Sequence, residues 1–150
     1  QARDKTLSPE DRLRLAEGAM ARLRPYPDAR LLINDDEALA RSVGAHGVHL
    51  SSLRLAQIGR RPDFGWVAAS CHTPADLARA AGLGLDFAVL GPVLPTPTHP
   101  GSAGIGWGAF ARMIETSPLP VYALGGLRQE MLETAREHGA HGIALMRGWG

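Results

Sequence analysis

Apolar and polar positions alternate along the chain in two rhythms. Short, almost wholly apolar runs recur: RLLIN ending at Asn34, GVHL at Leu50, WVAAS at Ser70, LDFAVLG at Gly91, PVYALGG at Gly126 and GIALMR at Arg147. Between them lie segments with apolar residues at helical spacing. In the first, Leu13, Ala16, Met20 and Leu23 mark an expected buried face. Its start carries Ser8 as N-cap, Pro9 in the first turn and acids behind it. DDEALARSV, SSLRLAQIG, TPADLARAAG, WGAFARMIET and RQEMLETAREHG predict five more helices, with Thr73 capping the one that opens at Pro74. Wholly apolar strands are buried on both faces, as in a parallel sheet covered by helices. VGAHGVHL and HGAHGIAL echo each other: a glycine closes a helix in the left-handed conformation and a strand follows.

Two architectures satisfy this alternation, an open doubly wound sheet and a closed barrel. The first predicts G-x-G-x-x-G after its first strand, and the sequence has none there. In a barrel the polar residues gather where the strands end. Asn34, Asp35, Ser70, Gly91, Gly125, Gly126 and Arg147 do so. The expected class is therefore α/β, a (β/α)8 TIM-barrel type. Six full strands and a stub at Arg3–Lys5 leave it N-terminally truncated, the first strand and helix missing. The 150 residues, opening at Gln1 without a methionine, read as one domain of a longer chain. Open edges predict a disturbed N-terminal region or an intermolecular contact, a homo-oligomer included.

Composition narrows the picture little. A net charge of +1 gives no general attraction to nucleic acid or an anionic membrane. One cysteine excludes an internal disulfide and fits the cytoplasm. No apolar run is long enough to span a bilayer.

The chemistry sits at the strand ends. Arg3 and Lys5, two apart on a strand, point the same way and suit a diphosphate; a solvated charge cluster is the alternative. After Asn34, Asp35 suits a Mg²⁺ ion bridged to phosphates, or else Asn34 or Asp35 caps the next helix. Ser70 and His72 bring a hydroxyl and an acid/base imidazole to one strand end, with Cys71 an improbable nucleophile. Thr96, Thr98 and His99 lie in a long proline-rich loop after Gly91. Loops of this length are functional in compact domains, and this one is expected to close over a ligand. Gly125 and Gly126 can expose backbone N–H groups to a phosphate, or simply turn the chain. His46, His49, His138 and His141 are expected to be structural or solvated, in connections at the bottom of the barrel.

QARDK, LLINDDEALARSVGAHGVHL, SCHTPADL, DFAVLGPVLPTPTH, PVYALGG and GIALMR, in this order, resemble the thiamine-phosphate synthase/TenI superfamily over essentially all 150 residues. THPGSAGIGW and RGWG look most like the TenI-like domain that follows a Nudix hydrolase in fusion proteins. The resemblance implies a site for a phosphorylated thiazole and hydroxymethylpyrimidine diphosphate. Diphosphate leaves the pyrimidine, and the thiazole nitrogen attacks the resulting carbocation. It assigns Arg3, Lys5, Asn34 and Ser70 to the diphosphate, Asp35 to Mg²⁺, and Thr96, Thr98, Gly125 and Gly126 to the thiazole phosphate.

Three departures bear on activity. Arg54 stands where the pattern has a second metal-binding aspartate, His99 where it has a lysine, and Arg147 where it has a serine. Arg54 is expected to contact the diphosphate directly. Relatives of TenI type shift a proton on a thiazole carboxylate phosphate, and their acid/base histidine corresponds to His72. The alternatives are thus a synthase, a tautomerase, and a non-catalytic ligand-binding domain with a Nudix hydrolase in cis.

Overall fold

A computed structural model describes residues 1–3, 6–96, 101 and 103–146. Among them, six helices and six strands alternate: α1 (Pro9–Leu23), β1 (Leu32–Asn34), α2 (Glu37–Ser42), β2 (Gly47–Leu50), α3 (Ser52–Gln57), β3 (Trp66–Cys71), α4 (Pro74–Gly82), β4 (Phe87–Leu90), α5 (Gly106–Ile114), β5 (Val121–Leu124), α6 (Leu132–Glu137) and β6 (Gly142–Ala144). The strands form one parallel sheet in chain order, β1 to β6. Sequential order without reversal is barrel order, because a doubly wound sheet reverses at its switch point. Ala2 adds a parallel bridge to Ile33, where the stub was expected. No pairing joins Ala2 to β6 among the described residues, so the sheet is an incomplete barrel.

Local signals place the helices. Ser8 accepts the Asp11 N–H and Pro9 opens α1. Thr73 and Asp76 form a reciprocal capping box at α4. Gly44 and Gly139 end their helices at positive φ, which frees the chain to enter the next strand. The core lies between sheet and helices, on Ile33, Val48, Leu50, Leu55, Val67, Leu90 and Phe110. Three details differ from the sequence expectation. Leu13 is 36% exposed, and Ala16 alone of that helix is fully buried. The segment from Gln129 opens with a 3-10 turn before α6, so its helix is shorter than the pattern implied. The cap of α2 is Asp36, which accepts the Leu39 N–H at 2.9 Å, rather than Asn34 or Asp35.

An aromatic cluster lies near the strand starts. Trp66, Phe87 and Tyr122 meet edge to face, with centroids 6.4 and 5.3 Å apart. Gly142 makes room for the cluster, since a Cβ on it would lie 2.9 Å from the Tyr122 ring, and Gly47 lets the Trp66 backbone approach closely.

Candidate functional site

A cavity of about 640 Å³ opens at the C-terminal ends of the strands. Arg3, Asn34, Asp35, Ser70, His72, Thr96, Gly125 and Gly126, all expected at the site, line it. Val89, Leu124 and Leu145 supply apolar wall. Lys5, Thr98, His99 and Arg147 lie outside the described residues.

Each strand end delivers its residue for a local reason. The chain leaves β1 through Asp35, whose φ is +56°, a left-handed conformation that aspartate tolerates better than most residues. Its backbone N–H donates to the His49 carbonyl at 3.0 Å. Its carboxylate accepts the Ser51 N–H at 2.7 Å and the Asn34 side-chain amide at 3.1 Å. Asn34 in turn accepts from the Gln1 side chain at 2.8 Å. At the end of β3, the His72 N–H donates to Asp76 at 2.8 Å, so the capping box also fixes the histidine backbone. Its ring Nδ1 lies 2.6 Å from the Gly91 carbonyl oxygen. A carbonyl only accepts, so Nδ1 carries the proton and neutral His72 has its lone pair on Nε2. His72 is exposed on the cavity wall, as an acid/base group must be to reach a ligand.

The loop after β4 is zipped onto the end of β5. Val93 N–H donates to Leu124 O at 2.8 Å, and Leu94 N–H to Gly125 O at 3.0 Å. Gly125 and Gly126 have φ of +104° and +66°. A Cβ on Gly125 would lie 2.5 Å from Pro92 Cα, and one on Gly126 2.5 Å from Pro95 O. These glycines therefore do more than turn the chain: they let the loop root seat against β5 with Thr96 at the cavity.

Two expectations are corrected. Arg54 does not line this cavity. It lies 3.6 Å from Glu37 and lines a neighbouring cavity of about 470 Å³ with Arg12, Asp36 and Leu39. Arg3, Asn34 and Asp35 border both spaces. The second correction is His49, which is not in a connection at the barrel bottom. It sits in β2, level with Asn34 in β1, 5% exposed, with Nε2 2.8 Å from Ser70 Oγ. Burial chiefly lowers its pKa to about 4; Arg3 acts in the same direction, and Asp35 opposes it. The signal was present in the strand period. In a parallel sheet paired residues share a face, so Asn34, His49 and Ala68 point inward together, and Ser70 two residues on does so too. The other three histidines are structural: His46 accepts the Leu31 N–H at 3.0 Å, His138 donates to Thr134 O and stacks on Trp107, and His141 packs on Tyr122.

Mg²⁺ requires oxygen donors free to coordinate. Among the described residues no group of three or more His, Cys, Asp or Glu converges. Asp35 is the one carboxylate among the described residues that line this cavity, and Arg54 occupies the position expected to supply a second. These side chains alone do not make a complete Mg²⁺ site; Asp35 could hold the ion only together with oxygens of a bound phosphate or diphosphate. Cys71 is fully buried, and burial first, then Asp76, pushes its thiol up to about 12, so it is no nucleophile.

Fold and site together define a parallel β/α-barrel domain with a pocket at its strand C-termini that combines Arg3, Asp35 and hydroxyl groups with an apolar wall. The chain belongs to the thiamine monophosphate synthase (TMP-TENI) family, whose model matches residues 1–149. It is 35% identical over 155 residues to the thiamine-phosphate synthase of Thioalkalivibrio sulfidiphilus, covering 99% of this chain and 72% of that protein. Against the thiamine-phosphate synthase of Herpetosiphon aurantiacus, identity is 35% over 148 residues, covering 97% and 71%. The solved thiamine phosphate pyrophosphorylase of Pyrococcus furiosus superposes with a TM-score of 0.77 over 95% of this chain and 69% of that one, at 23% identity. That likeness supports the barrel. No helix among the described residues is long and apolar enough to cross a membrane.

Proposed function

We propose that this domain binds a thiazole phosphate and couples it to hydroxymethylpyrimidine diphosphate, giving thiamine phosphate and diphosphate. The observation that carries this reading is the convergence of Arg3, Asn34, Ser70, Thr96, Gly125 and Gly126 on one cavity, in a chain about 35% identical to proteins named thiamine-phosphate synthase. In the reaction the pyrimidine methylene C–O bond breaks, and its electron pair leaves with diphosphate. The thiazole nitrogen lone pair forms the new C–N bond. Arg3 and the Ser70 hydroxyl would stabilise charge developing on the leaving oxygen, the dominant contribution in such a step. Apolar Val89, Leu124 and Leu145 would keep water from the carbocation. The test is thiamine phosphate formation by the full-length chain from the two substrates with Mg²⁺ supplied, followed by mass; catalytic turnover supports the reading and its absence removes it.

A second reading is a TenI-type tautomerase, favoured by the fixed His72 ring. With Nδ1–H held by Gly91 O, Nε2 would take a proton from the thiazole carboxylate phosphate and return it at another position. Proton exchange without diphosphate release distinguishes the two. A third, a ligand-binding domain beside a Nudix hydrolase in cis, predicts binding without turnover in both assays. Self-association across the open sheet edges belongs to the same proposal and is read from the mass in solution.

A further inference from the structure

His49 is the one fully buried polar side chain among the described residues, and the proposed chemistry does not use it. It does not line the cavity, whereas its partner Ser70 does. Its register partners are Asn34 on one side and Ala68 on the other, with Phe87 beyond Ala68, and an apolar side chain there would be cheaper to bury. The charged side chains facing it are Arg3 and Asp35.

We propose that His49 is a positioning residue that acts through Ser70, holding the hydroxyl oxygen from behind so that its single proton is directed into the cavity toward an anionic ligand. This rests on the reading that the cavity binds phosphate or diphosphate groups. A hydroxyl has one proton and can give it to one acceptor. If Ser70 donated to His49 Nε2, it would present only lone pairs to the cavity and repel an anion. An ionised phosphate accepts and does not donate, so its binding selects the tautomer in which His49 Nε2–H donates to Ser70 Oγ and Ser70 O–H donates to the ligand. Two linked hydrogen bonds polarise each other, which strengthens the outer one. A buried neutral imidazole suits this task, because it supplies a donor without placing a second charge in the interior.

The experiment is a double-mutant cycle on the full-length chain, with inorganic pyrophosphate as the probe and calorimetry as the readout. Ser70→Ala is expected to weaken pyrophosphate binding about tenfold, the effect of one hydrogen bond to a charged acceptor. His49→Leu, which keeps volume, is expected to cost nearly as much, and the double variant little more than either. His49→Gln, which retains a side-chain N–H donor, is expected to recover most of the loss. Nitrogen NMR of the His49 ring should show Nε2 protonated when pyrophosphate is bound. Additive losses, wild-type affinity in His49→Leu, or a bare Nε2 in the complex would overturn the proposal. Should His49→Leu fail to fold, the Gln variant and the ring spectrum decide it. If the wild type binds neither pyrophosphate nor phosphate, the proposal falls together with the functional reading. Binding with unlinked losses removes the proposal alone.

Discussion

The carboxylate of Asp35 accepts the backbone N–H of Ser51 at 2.7 Å, tying the end of β1 to the cap of α3. Ser51 itself caps that helix by accepting the Arg54 N–H at 3.2 Å. One aspartate thus holds two loops at the rim of the cavity, from a left-handed backbone that few residues tolerate. Replacing it separates the two contributions. Asp35→Asn keeps an acceptor and a residue that adopts positive φ, so its expected cost is about 1 kcal/mol, from the loss of charge assistance. Asp35→Ala also strains the backbone, and its expected cost is about 2–3 kcal/mol. Denaturant midpoints of the two variants check this order. Equal midpoints would show that φ at this position carries no strain.

His72 and Gly91 form the second relationship with a functional consequence. His72→Asn is expected to keep the hydrogen bond to Gly91 O through its side-chain amide while having no titrating nitrogen. His72→Ala loses both. If the tautomerase reading is right, both variants lose proton exchange on the thiazole substrate by at least about a hundredfold. Ligand affinity should then fall in the alanine variant only. If the synthase reading is right, His72→Asn retains most of the coupling rate. The two rates measured on the same preparations separate the readings.

The fold was legible because its evidence is local and repeated. Caps at Ser8 and Thr73, glycines at 44 and 139, and apolar runs without alternation each specify one element, and all point to the same sheet. The cavity was legible as far as it follows from where strands end. What the sequence obscured depends on which neighbour a side chain finds. Arg54 occupies a metal-ligand position in the motif, yet it lies 3.6 Å from Glu37 on α2 and lines the adjacent cavity. Asn34 and Asp35 were the cap candidates for α2, and only backbone direction selects their neighbour Asp36. His49 was hidden among look-alike G-x-H segments: GVHL carries its histidine inside a strand, whereas AHG carries His46 and His141 before one.

The glycine pair after β5 leads to a stability prediction coupled to function. A methyl group at Gly125 would press on Pro92 and is also disfavoured by φ of +104°. Gly125→Ala is expected to cost about 1–3 kcal/mol. Because Leu94 N–H bonds to Gly125 O, the loop root should shift and carry Thr96 away from the cavity. Weakened phosphate binding should therefore accompany the lower Tm. A variant of normal affinity and reduced Tm would show that the loop root does not form part of the site.

Burial of His49 makes stability depend on pH in a defined window. Its pKa is lowered in the fold to about 4, against an ordinary value of 6.5. The unfolded chain therefore binds a proton below about pH 6.5 that the folded chain refuses until about pH 4. Stability is full above pH 6.5, declines as pH falls through the window, and levels off below pH 4. A difference of this size corresponds to about 3–4 kcal/mol at most, since each pKa unit is worth about 1.4 kcal/mol. His49→Gln has no such group, so the difference between wild type and variant should shrink as pH drops from 7 to 4. Urea denaturation at pH 7, 5.5 and 4.5 measures it. A constant difference would show that the ring is protonated in the folded chain as readily as in the unfolded one, contrary to its burial beside Ser70.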